Sequence, residues 1–260
     1  MCHTADELAK GFDFLCLKKC RLSPLAARDF FSKLAVRLFK IGGSLHGGGD
    51  AYSGGIFGQC DVKSVSIAGS LDAGLGDNSG GVRLRSIGAL SIGGDVHGSS
   101  GSPILITVEE KLGSLKIAGT TTHARVLAGY HVFTTAKFGD GGINADAAIG
   151  SVTVGGDWIA SSIGAGVQEK VDGFGDCEKI DQAGAKDVAE IVSRIGSIVV
   201  KGQVRGTNAD MDSFGFGAEF IGSIKVGGNT IVPLKAGASN DLTGISLGTT
   251  GDFFIREVAT

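Results

Sequence analysis

Eight segments of this chain repeat one ten-residue phrase, seen most cleanly as IGSVTVGGDW at 149–158. The copies start at Val36, Val62, Ile87, Leu112, Ile149, Ile195, Ile221 and Leu242. The intervals between starts are 26, 25, 25, 37, 46, 26 and 21 residues, so the base period is about 25. Positions 1, 4 and 6 are apolar in every copy, as in Ile149, Val152 and Val154. Position 8 is Gly in seven copies (Gly43, Gly69, Gly94, Gly119, Gly156, Gly202, Gly228), with Thr249 the exception. Position 5 is Lys, Ser or Thr in all copies but one, where it is Val199. An apolar–polar–apolar triplet at 4–6 has a period of 2 and reads as a strand with one buried face. Position 10 is often apolar again (Leu45, Leu71, Val96, Trp158, Val204), and a third apolar patch follows in GGIFG, GGVRL and PILITV. Three short strands and three corners therefore account for one period.

A unit of this size cannot bury its own apolar face, so the repeats must stack on one another. The expected fold is all-β, a parallel β-helix solenoid of about 25-residue coils over 36–260. It is expected to be right-handed, as parallel β crossovers are. The two long intervals place insertions at about 124–148 and 168–194. Gly at position 8 is expected at a corner, where the lack of a Cβ eases the turn and the approach of the next coil. Position 9 (Ser44, Ser70, Asp95, Thr120, Asp157, Gln203, Asn229) reads as variable. That variation counts against leucine-rich repeats, which want Asn or Cys there and a helical return. β-Propeller blades need a longer period. A calcium-binding nonapeptide roll needs tandem G-G-x-G-x-D, which GGGDAYSGG and FGDGGINAD only approach.

Composition supports a folded, turn-rich chain. Gly accounts for 45 of 260 residues, yet Pro for only 3, and apolar residues make up 42%, which separates the chain from disordered Gly/Pro-rich sequences. The net charge is -3 and the Lys and Arg residues are scattered along the sequence, so neither nucleic acid nor an anionic membrane is the expected partner. No apolar run reaches transmembrane length, and membrane insertion is not expected. Five Cys, three of them in the first twenty residues, form no disulfide framework.

Residues 1–35 differ from the rest, with more charge and little Gly. Ser23-Pro24 reads as a helix start, and Leu25, Phe30, Phe31 and Leu34 suit an amphipathic helix that caps the stack; a poorly ordered leader is the alternative. The opening residues lack the apolar core of a signal peptide, so the chain as written is expected to be unexported, or to be part of a longer exported protein. The second half of the larger insertion reads as a short helix with Val188, Ile191 and Val192 on one side.

The phrases IGSVTVGGDW, IGSIVVKGQVRGT, DSFGFGAEFIGSIKVGGN and LGTTGDFFIREV resemble the repeats and terminal coil of large Gly-rich β-strand-repeat proteins of environmental bacteria. The resemblance covers roughly residues 36–258 and implies a parallel β-helix in an extracellular or cell-surface setting, with no family chemistry to carry over.

Candidate chemistry is sparse. Asp172, Asp176 and Glu178 bring carboxylates onto one Gly-rich turn and are calcium candidates, against the plainer reading of a solvated turn. Asp140, Asn144 and Asp146 make a similar case. His46 and His97 share position 11 two coils apart, which is too far to share a metal, so both are expected to be surface residues. Cys16 and Cys20, with Cys2 and His3, form a remote zinc candidate. Trp158 is expected in the core. No catalytic or cofactor-binding residue is assigned. The expected function is that of a structural or adhesive repeat protein, a rigid solenoid presenting loops to a protein or glycan at a surface. The alternative is a carbohydrate-active enzyme, a polysaccharide lyase or glycoside hydrolase, on the same scaffold.

Overall fold

The computed structural model describes residues 38–132, 141–170, 172–207, 212–231 and 244–258. The N-terminal helix expected at 23–34, the zinc candidates Cys2, His3, Cys16 and Cys20, and Asp140 lie outside the described residues. The chain is all-β. Three sets of parallel strand pairings wrap one aliphatic core.

The repeat phrase forms the first ladder, and its template positions are the register. Position 4 runs Phe39, Val65, Leu90, Leu115, Val152, Ile198, Ile224, each paired in parallel with the next. Position 6 runs from Ile41 to Val226 in the same way. Position 1 runs from Val62 to Ile221. From Val62 to Ile224 the residues at positions 1 and 4 are buried. Burying each such side chain contributes roughly 1.5–3 kcal/mol. Positions 10 and 11 form a second, six-stranded ladder of two-residue strands, Leu45 and His46 through Val204 and Arg205. The third apolar patch forms a return ladder, from Ile56 through Val82, Ile106, Val126, Ile163 and Phe216 to Ile255.

Strands Ile56–Ile67, Val82–Ile92 and Ile104–Ile117 belong to two ladders at once. Their first halves lie in the return ladder and their second halves in the repeat ladder, with register breaks between Gly58 and Asp61 and between Leu84 and Ser86. The ladders diverge at this vertex. After the fourth copy the chain no longer runs straight through it. The return strands Ala124–Ala128 and Ser162–Ala165 end there, and the repeat strands Ala148–Val154 and Arg194–Val200 begin there. Both insertions, 129–147 and 166–193, therefore open at the same vertex, one above the other.

The conserved Gly of the phrase has a more specific cause than turn freedom. None of Gly69, Gly94, Gly119, Gly156 and Gly202 lies in the left-handed region. Each is required by the position-9 side chain of the preceding copy. Ser44 Oγ accepts a hydrogen bond from Ser70 N (3.0 Å), Ser70 Oγ from Asp95 N (3.1 Å), and Asp95 Oδ1 from Thr120 N (2.7 Å). Thr120 Oγ1 then accepts from Asp157 N (3.3 Å), and Asp157 Oδ1 from Gln203 N (2.8 Å). A Cβ on Gly69, Gly94, Gly119, Gly156 or Gly202 would sit within 2.4 Å of one of these acceptors. Position 9 is thus not free. Ser, Thr and Asp are the short acceptors that hydrogen-bond backbone N–H groups.

Position 2 carries a second Gly file, Gly88, Gly113, Gly150, Gly196 and Gly222. Pairing skips this position in each rung, and a Cβ on any of the five would lie within 2.4 Å of the carbonyl oxygen one copy earlier.

The stack ends differently from the sequence expectation. The seventh copy does not turn its corner. Val226-Gly227-Gly228-Asn229 makes a tight hairpin with φ of +57° and +82° at the two Gly, and Asn229–Ile231 returns antiparallel to Ile224–Val226. Two successive residues with positive φ match the twist of a two-residue hairpin, which Gly-Gly permits. The eighth copy leaves the ladder, and its Ile245 and Ser246 pair antiparallel with Ile255 and Phe254.

Candidate functional site

The insertions pack on each other and on the outer surface of the return ladder. With Leu127 of the return ladder and Val258, their apolar side chains Tyr130, Ala145, Val167, Phe174, Cys177 and Ile180 make a second, smaller core. The return strands thin to Gly where this core needs room. A Cβ on Gly164 would meet Val167, Leu127 and Phe174, and one on Gly217 would lie 2.4 Å from Cys177 Sγ. Tyr130 donates its hydroxyl to Val167 O at 2.9 Å, joining the two insertions. Burial raises the Tyr130 hydroxyl pKa, with Glu169 adding to the effect, and burial pushes the Cys177 thiol up to about 12.

The second half of the larger insertion, where a helix was expected, instead makes turns at 182–185 and 188–191 around one bridge. Ala145 N donates to Lys186 O (2.7 Å) and Lys186 N to Ile143 O (2.8 Å), a short parallel pairing with the smaller insertion. Val188 N donates to Asp146 Oδ1 at 2.9 Å. These contacts from 42 residues away override the local helical periodicity, and Gly184 at φ +89° interrupts it. Val188, Ile191 and Val192 consequently lie at the surface.

Two glutamates at the vertex anchor the pair, one from each side. Glu109, in the strand before the smaller insertion, accepts from Val132 N at 3.3 Å, lies 3.7 Å from His131 Nε2, and its carbonyl receives Asn144 Nδ2 at 3.0 Å. Glu219, in the copy after the larger insertion, is fully buried; it accepts from Ser193 N at 2.7 Å and pairs with Lys179 at 3.2 Å. Lys179 also meets Asp187 at 2.8 Å; burial works against its charge, but Asp187 and Glu219 outweigh that and raise its pKa. Between the anchors, Arg125 pairs with Glu169 at 3.5 Å and lies 5.8 Å from the Phe174 ring centroid. Gln168 donates to Glu178 (3.2 Å) and Asp181 (3.0 Å).

The calcium candidates do not converge. Asp172 Oδ1 accepts from Ser213 Oγ (2.9 Å), Asp176 pairs with Arg256 (3.3 Å), and Glu178 is bonded by Gln168 and faces Lys170 at 3.9 Å. Asn144 Oδ1 accepts from Asp146 N, and Asp146 ties Val188 N and Lys186. Among the described residues, no three His, Cys, Asp or Glu side chains are grouped to hold a metal ion. His46 and His97 lie on the outer side of the second ladder with Asp72 in register between them; His46 Nδ1 is 2.8 Å from Asp72 Oδ2. Trp158 is completely buried, donates Nε1 to Ser161 O at 2.8 Å and lies tilted against Phe216, which in turn meets Phe253 edge-on.

The anchors Glu109 and Glu219 and the half-buried pair Arg125–Glu169 escaped the sequence reading. One signal was present: Glu219 follows the return strand Phe214–Ala218, as Glu109 follows Val108, the last return-ladder residue of its strand. No helix among the described residues is long and apolar enough to cross a membrane. Compared with protein-family models, curated proteins and solved structures, the chain shows no match.

Proposed function

We propose that this chain is a parallel β-helix whose role is structural or adhesive: a stiff stack that presents its two fused insertions to a protein or glycan at a cell surface or in an extracellular matrix. The observation that carries this reading is the pairing of continuous registered ladders with insertions confined to one vertex and given their own core. Residues on loops held by a rigid scaffold are well placed for recognition. The insertions' ionisable side chains are largely engaged in holding the loops, as Glu169, Asp146 and Asp176 are, so the vertex is built for shape. The extracellular setting implied by the family resemblance belongs to this proposal.

A glycan array and a panel of matrix proteins test it, with reducing-end release measured in the same wells. Binding that is lost when 166–193 is replaced by the short Ala-Glu link of 218–219 supports presentation by the insertions. Release of new reducing ends overturns it in favour of a carbohydrate-active enzyme.

A further inference from the structure

The cations that are scattered in sequence are gathered by the fold. The outer side of the repeat ladder carries Lys40, Lys116 and Lys225 at position 5, Lys63 at position 2 and Lys201 at position 7. Lys111 and Arg194 stand just ahead of position 1, both in register with Ala148. All seven are exposed, and none makes an ion pair with another described residue. The acidic residues on these strands stand at the vertex end: Asp61, which Arg85 holds in a two-point bond, Glu109, and the exposed Glu110 beside Lys111. Beyond that end, positions 1 to 7 of the described copies carry five cations and no acidic residue, on a chain whose net charge is -3. The larger insertion shows the opposite balance, with seven acidic and three basic residues between 166 and 193. Between the cations runs a file of half-exposed hydroxyls at position 3: Ser64, Ser114, Ser151, Ser197 and Ser223. Seven parallel rungs about 4.8 Å apart make this a track of roughly 29 Å.

We propose that this face docks a linear acidic polysaccharide, one bearing uronate or sulfate groups, laid along the stacking axis. The charge asks for a polyanion. The hydroxyl file suits a partner rich in hydroxyls, and the track is long enough for an extended chain. Single-stranded nucleic acid fits less well, since such sites stack bases on exposed aromatic rings, and the aromatic residues on these strands, Phe39 and Phe220, are both partly buried. This goes beyond the proposed function by placing a contact on the flat face and not on the insertions.

The test uses the full chain with polygalacturonate as probe and dextran as its neutral counterpart, followed by affinity electrophoresis and calorimetry. The expected result is binding of polygalacturonate but not dextran, weakening as salt rises from about 0.05 to about 0.3 M. The combined variant K63S/K116S/K201A/K225S is expected to bind at least tenfold more weakly with an unchanged melting temperature. Three of its substitutions install side chains that other copies already carry there or similar ones: Ser91 at position 5 and Ala118 at position 7. A chain with 166–193 shortened is expected to bind polygalacturonate as the parent does, so failure of loop-borne adhesion and failure of this face read out separately. No binding of polygalacturonate, equal binding of dextran, or undiminished binding by the fourfold variant overturns the inference. So does tighter binding of duplex DNA or of anionic phospholipid vesicles at the same salt.

Discussion

In the repeat ladder, neighbouring copies meet backbone to backbone. Gly113 lies where a Cβ would be 2.2 Å from Gly88 O, and the short acceptors of position 9 reach across to backbone N–H groups. In the insertions, neighbours meet largely through side chains: Glu219 to Ser193 and Lys179, Asp146 to Val188 and Lys186, Tyr130 to Val167. The first kind of contact admits almost no variation in size. The second tolerates variation in path and length, because a side chain can re-aim. That difference explains why the two insertions sit at the vertex where pairing already breaks, and not at the Gly corner.

Four measurements bear on this contrast, in descending order of effect. Gly113→Ala forces backbone against backbone with Gly on both sides of the file, and is expected to cost about 3 kcal/mol or more, the upper range for overpacking, read as a lower urea midpoint. Gly184→Ala, in an insertion with open space around its Cβ, is expected to cost only the strain of its positive φ, about 1–2 kcal/mol. Equal losses would erase the distinction.

Alkaline titration probes the second core. The Cys177 thiol pKa is about 12 folded, against 9.0 as the ordinary value, so the folded state holds a proton that the unfolded chain has released. The stability tied to this group is complete below pH 9 and is lost as pH rises toward 12, at about 1.4 kcal/mol per pH unit. The expected loss between pH 9 and 10.5 is about 2 kcal/mol, and Cys177→Ala should flatten the slope. An unchanged slope would refute a dry second core.

Glu219→Gln removes a buried charge but leaves Lys179 its Asp187 partner; a loss of about 1.5 kcal/mol is expected, below the range for breaking an isolated buried pair. Hydrogen exchange is expected to rise in 178–193 and not in the ladder strands. The smallest effect belongs to position 9. Asp95→Ala leaves Thr120 N without its acceptor, at a cost of about 1 kcal/mol. It also vacates the space facing Gly119, so Gly119→Ala should be milder in that background than in the parent, by at least 1 kcal/mol in a double-mutant cycle.

The inward residues of the ladders were legible because a period of 2 inside a period of about 25 has few physical readings. Position 9 was misread as variable because Ser, Thr and Asp differ in polarity scales but agree in being short acceptors. The Gly file at position 2 escaped because no apolar pattern marks it. The Gly-Gly of the seventh copy looked like its predecessors, yet NTI after it supplied a strand to pair with, so the same dipeptide made a hairpin. The insertion's path was set by Asn144 and Asp146 in another loop, which no local window contains. The basic face was invisible for a simpler reason: residues 25 or more apart in sequence become neighbours only once the register is known.

The position-9 contacts all point the same way, each side chain reaching toward the copy that follows. The rule for any Gly at position 8 is therefore written in the preceding copy. Substitutions should be correlated across repeats, with position 9 of one copy coupled to position 8 of the next. A copy can be duplicated or lost cleanly when the cut leaves that pair together, so the heritable unit of this protein straddles two turns of its chain.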